Sequence, residues 1–137
     1  MNIGAIRTAL AGCLSTVYSN DWHVLADDPT VDVAAPEVRV LSPADVRYGV
    51  SLGLDSVTVP VRVVVSQGDD VAALDLLDLM LSTGIDGSLV DALRSSGSHL
   101  WRGAPQVALG VPVDDETIAQ AGLRAFDLAV TFLAPST

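Results

Sequence analysis

Between residues 57 and 65 the chain carries valine at every odd position: Val57, Val59, Val61, Val63 and Val65, separated by Thr58, Pro60, Arg62 and Val64. A period of two places all five odd valines on one face of an extended segment, whereas a helix would scatter them around its axis. Valine is also stiff about χ1 and packs well on a pleated surface. The stretch is therefore a strand with one face toward a core, and the rest of the chain must supply pairing strands and a covering layer. Pro60 has no N–H to donate, which predicts that this strand lies at a sheet edge or carries a bulge there.

The covering layer is visible upstream and downstream. Ile3, Ile6, Leu10, Cys13, Leu14 and Val17 recur at three-and-four spacing, and Asn2 stands where an N-cap belongs, so residues 3–18 read as an amphipathic helix. Ser19, Asn20 and Asp21 end it, residues 22–25 read as a short strand, and Asp27-Asp28-Pro29 as a turn. A second strand covers 37–41, with Val38 and Val40 on one face and Glu37 and Arg39 on the other. The Pro-, Gly- and Ser-containing segment 42–56 has no sustained period and reads as a long connection or an irregular hairpin, a kind of segment that often carries function.

After the valine strand, Asp69 and Asp70 offer an N-cap and a first-turn negative charge to a helix over 70–82. Asp75, Asp78 and Ser82 share a narrow stripe with Val71, while Leu74, Leu76, Leu77, Leu79, Met80 and Leu81 spread over most of the remaining circumference. A helix on one sheet needs an apolar stripe of only about 100°, so this one has apolar surface to spare. Gly84 breaks it, Asp86 is placed to cap a short helix with Leu89, Val90 and Leu93 on one face, and 95–98 read as a flexible link. Residues 107–113 read as a strand interrupted by Gly110 and Pro112, Asp114-Asp115-Glu116 as an acidic turn, and 123–133 as a final strand with Phe126, Leu128, Val130 and Phe132 on one face. The order is α-β-β-β-α-α-β-β. Strands joined without intervening helices imply an α+β fold, a mostly antiparallel or mixed sheet with helices packed on one face. With 137 residues the expectation is one domain over 1–134 and a frayed tail at 135–137.

Charge narrows the partners. Seventeen acidic residues stand against seven arginines and no lysine, a formal net charge of −10. Arg7, Arg39, Arg47, Arg62, Arg94, Arg102 and Arg124 are scattered, so no basic patch offers itself to nucleic acid or to an anionic membrane. No apolar run approaches the roughly 20 residues of a membrane span, and no signal peptide is evident, which points to synthesis and residence in a cytoplasm. Cys13 is the single cysteine, so an internal disulfide is impossible and a reducing compartment fits.

Chemical motifs are missing where catalysis would need them. His23 and His99 lie in no HExxH, HxH or CxxC context, and they read as ordinary contact or surface residues rather than metal ligands. Asp75 and Asp78 share a helix face as an acid/base pair would, yet no third acidic or histidine partner shares the stripe. Asp114, Asp115 and Glu116 lack the alternation and central glycine of a calcium loop. Cys13 has no neighbouring cation to activate it. There is no GxSxG, GxxxxGK or GxGxxG. No catalytic residue, cofactor or metal site is assigned. What remains is contact surface, for which the candidate residues are Trp22, Arg47, Tyr48, Pro60, Arg62, Leu76, Met80 and Trp101.

Three stretches also resemble a known family. Residues 3–17 (IGAIRTALAGCLSTV), 36–43 (PEVRVLSP) and especially 54–81 (LDSVTVPVRVVVSQGDDVAALDLLDLML), followed by IDGSLVDALRS and RAFDLAVTFLA, are similar to tail terminator proteins of long-tailed bacteriophages infecting actinobacteria. The resemblance rests on the order of elements and the aliphatic strand, polar turn and D-x-A-A-L-x-L-L-D helix. It implies a non-enzymatic virion protein, a homo-oligomer and commonly a hexameric ring. Such a ring sits on the head-proximal end of the tail, assembled in the host cytoplasm. There it stops growth of the tube formed by the major tail tube protein and presents a head-tail joining surface to a head-completion or neck protein. A second neck or connector protein, or a small-ligand-binding or enzymatic α+β domain using Asp75, Asp78, His23 and His99, are the alternatives.

Overall fold

A computed structural model describes residues 2–18, 22–26, 36–96, 99–110 and 116–135. Ten elements follow one another: α1 (Ile3–Tyr18), β1 (His23–Ala26), β2 (Glu37–Val40), β3 (Asp45–Ser51), β4 (Leu54–Ser66), α2 (Asp70–Leu81), α3 (Leu89–Ser95), β5 (Gln106–Leu109), α4 (Glu116–Gln120) and β6 (Leu123–Pro135). The expected α+β class and element order hold, with β3 and α4 as additions. The readings at 19–21, 27–29, 97–98, 111–115 and 136–137 lie outside the described residues.

The six strands form one mixed sheet in the order β1-β2-β4-β6-β5, with β3 pairing β4 beyond the end of β2. β1 runs parallel to β2, and the remaining pairs are antiparallel. The spine is the β4–β6 ladder, which runs unbroken from Leu54 opposite Pro135 to Ser66 opposite Leu123. Pro135, read from sequence as part of a frayed tail, thus closes the ladder.

The valine period behaves as its spacing demands. Val57, Val59, Val61, Val63 and Val65 are buried and share a core with Val38 and Val40 of β2 and Leu128, Val130, Phe132 and Ala134 of β6. The same core holds Ile6, Leu10, Leu14 and Tyr18 of α1, Ala73, Leu76, Leu77 and Met80 of α2, and Leu89 and Leu93 of α3. Since these strand residues all point to one face, the three longer helices cover that face. Each fully buried Val or Leu contributes about 1.5–3 kcal/mol through apolar area removed from water.

Pro60 departs from expectation. β4 is an inner strand, flanked by β2 and β3 on one side and by β6 on the other. The sheet tolerates the proline because it faces the break between β2 and β3. Leu41 donates its N–H to the Pro60 carbonyl at 2.9 Å, and Ala44 donates to the Thr58 carbonyl at 2.9 Å. Pro60 has no N–H to return to Leu41. Arg7 of α1 fills that role instead, its Nε donating to the Leu41 carbonyl at 2.9 Å and its Nη2 to the Val40 carbonyl at 3.1 Å. A helix side chain thereby satisfies the carbonyl that the proline leaves open.

Caps differ in detail from their sequence signals. Asn2 accepts the Ala5 N–H at 3.0 Å, as expected for α1. Asp69 occupies the N-cap position of α2, yet its side chain makes no capping bond; Asp70 in the first turn pairs with Arg124. For α3 the cap is Ser88, which accepts from Asp91 N, and Asp86 precedes the helix without capping it. β5 spans Gln106–Leu109, positions 111–113 of the 107–113 reading lying outside the described residues, and Gly110 extends its ladder by donating to the Asp127 carbonyl at 2.9 Å. A Cβ at Gly110 would stand 3.2 Å from Asp127 Cβ, so any larger residue there would push the two strands apart by a few tenths of an ångström.

Candidate interaction surfaces

Segment 42–56, read as a long connection or an irregular hairpin, is the latter, and its second strand continues into the valine run. Ser51 pairs with Leu54, leaving a two-residue loop of Leu52 and Gly53, and Gly53 takes the left-handed conformation at φ +72°. The register shifts between Arg47 and Ser51, where Gly49 is also left-handed at φ +67°. Buried Asp55 holds that irregularity by accepting the Gly49 N–H at 2.9 Å. Backbone geometry therefore turns bulky groups outward: Tyr48 is 78%, Val50 46% and Leu52 101% exposed. Beside them Arg47 Nε contacts Asp45 Oδ2 at 2.9 Å, an exposed pair of the kind that contributes little. Three bulky side chains in solvent at one tip form an exposed patch of the kind that marks interaction sites.

The second such surface is the outer side of α2. Val71 is 71% and Leu74 52% exposed, flanked by exposed Asp75 and Asp78. The surplus apolar surface read from the helix is thus real, but it resides in Val71, Leu74 and Leu79. Between the start of α2 and the end of α1 lies a groove of about 630 Å³, with Val17, Trp22, Pro36 and Leu79 among its apolar walls and Asp69 and Asp75 among its polar ones.

The sequence-derived contact residues divide in two. Arg47 and Tyr48 stand on the hairpin, and Trp22 is half-buried in the groove wall. Pro60 and Arg62 lie on the sheet face opposite α1, α2 and α3, where Arg62 forms a two-pronged contact with Asp127 of β6 at 2.9 and 3.1 Å. Leu76 and Met80, 3% and 0% exposed, belong to the core, as does Trp101, whose ring centroid stands 4.8 Å from that of Phe132. These three are corrected from surface to interior. Helical spacing alone does not tell which part of an apolar-rich circumference meets the sheet, and Trp101 follows a Gly/Ser stretch only in sequence.

Val50 and Leu52 escaped the sequence reading. Their signal was two isolated aliphatic residues in the glycine-bearing run GVSLGL, at the apex of what the structure makes a hairpin.

The chemistry-bearing side chains are dispersed. His23 is exposed on edge strand β1, and His99 is exposed in the turn before Trp101. Among the described residues no group of three or more His, Cys, Asp or Glu is placed to hold a metal, and no helix is long and apolar enough to cross a membrane. Burial pushes the Cys13 thiol above its usual range. Burial also raises the Tyr18 phenol, with a smaller contribution from nearby Cys13, and the protonated hydroxyl donates to the Gly87 carbonyl. Both groups are held neutral, as packing residues are.

Comparison with protein-family models and with characterised proteins yields no match to this chain.

Proposed function

We propose that this protein is a structural subunit that associates with copies of itself into a ring, closing the end of a phage tail tube and presenting the joining surface for the head. The sequence resemblance to tail terminators supplies the setting. The observation that carries the reading is the hairpin that holds Tyr48, Val50 and Leu52 in water, because an isolated subunit gains nothing from that exposure and an assembling one buries it. The outward Val71 and Leu74 of α2 add surface of the same kind.

The test joins the purified chain to preformed tail tubes. Light scattering after size exclusion, followed by negative-stain imaging, is expected to show a closed oligomer alone and a density capping one end of each tube. Tubes mixed with it during polymerisation are expected to be shorter. Monomers that neither assemble nor bind tube ends would remove the proposal. A neck protein would instead bind an end already capped.

A further inference from the structure

The two unsatisfied apolar features occupy opposite ends of the same strand. The hairpin tip adjoins Leu54, the first residue of β4, whereas the groove includes Val65 near its last and Asp69 just beyond. A strand of 13 residues separates them, or about 40 Å at about 3.3 Å per residue. A hairpin on a rigid ladder of that length cannot fold back into its own groove.

We propose that the hairpin of one copy seats Tyr48, Val50 and Leu52 in the groove of a second copy. This deepens the ring reading and rests on it. The groove's volume of about 630 Å³ lies in the range that encloses a few bulky side chains. Charge selects the orientation. A net charge of −10 makes copies repel one another at large, so a stable contact must bring an arginine-bearing end against an acidic one. The hairpin end carries Arg47 with its side chain 72% exposed, and exposed Arg102, whose N–H is bonded to the carbonyl of Leu133, the partner of Ser56. The groove is bordered by exposed Asp69 and Asp75. Arg47 gives up only a weak surface pair with Asp45 to meet them. Because the two surfaces differ, the contact is head-to-tail, the kind that closes into a ring when the rotation per step permits.

Sedimentation equilibrium tests this with four samples of the full chain: wild type, Leu52→Asp, Ala72→Arg, and an equimolar mixture of the two variants. Leu52 is fully exposed and Ala72 lies exposed in the groove wall, so both variants should keep the wild-type circular dichroism, and the wild-type melting profile at concentrations low enough for wild type to be dissociated. Each alone is expected to weaken self-association at least about 30-fold, the loss typical of a central contact. Their mixture is expected to form a species of twice the 14.2 kDa chain mass and nothing larger, since one intact hairpin meets one intact groove. If the variants assemble like wild type, or the mixture gives no heterodimer, the hairpin-groove contact is overturned while the ring reading stands. If wild type itself neither assembles nor binds tube ends, the ring reading falls and takes this contact with it.

Discussion

Arg7 shows how one side chain makes an otherwise unfavourable residue acceptable. Pro60 removes a donor from an inner strand, and the carbonyl left without it belongs to Leu41, which Arg7 reaches from α1 at 2.9 Å. Replacing Arg7 by Met keeps most of the apolar stem and deletes the donors. The expected loss is about 1–3 kcal/mol, the cost of a partly buried carbonyl without its partner, read as a shift in the urea midpoint at constant slope. The penalty should shrink when Pro60→Val is introduced as well, because a backbone N–H then faces Leu41. A double-mutant cycle showing additive effects would mean that Arg7 acts elsewhere. At this scale the sequence was only partly legible. Pro60 advertised a missing donor, but the residue that compensates for it is more than 50 positions away and no local pattern pairs them.

At the scale of elements, α1 is joined to the link between α2 and α3 by the bond from Tyr18 to the Gly87 carbonyl, next to half-buried Cys13. Both groups have raised proton affinity in the folded state. The unfolded chain therefore releases protons first as pH climbs, and folding stability falls wherever the unfolded state binds fewer protons than the native one. Denaturant titrations are expected to give constant stability from neutral pH to near the ordinary thiol value of 9.0, then a decline that steepens past the phenol's 10.0. Tyr18→Phe should remove the steeper part at the expense of the Gly87 contact. A stability curve flat through that range would show that neither group is linked to folding. The element types themselves followed from periodicity, because each strand or helix repeats its own contacts within a few residues. The hairpin was legible only as one of two alternatives, since its first strand, β3, lacks a buried face and its shape rests on Gly49, Gly53 and Asp55 acting together.

For the whole molecule the dominant quantity is charge. Among the described residues, most carboxylates other than buried Glu37 and Asp55 and the Asp127 paired with Arg62 stand on the surface, so the compact state bears a self-repulsion that the expanded chain relieves. Adding monovalent salt should therefore raise the melting temperature of dilute protein. Calorimetry at low concentration checks this; a melting temperature that falls with salt would assign the larger role to the internal ion pairs.

Some of this protein follows from its sequence alone: the valine strand, the apolar faces of α1 and β6, the α+β order, and a helix with more apolar surface than one sheet covers. Those properties are periodic, and a period is expressed within the segment that carries it. Only the tertiary structure decided that β4 lies inside the sheet, that Leu76, Met80 and Trp101 turn inward, and that Tyr48, Val50, Leu52, Val71 and Leu74 turn outward. Burial and exposure depend on which distant segments meet, and that meeting is chosen by the packing of the whole core rather than by any residue's neighbours along the chain.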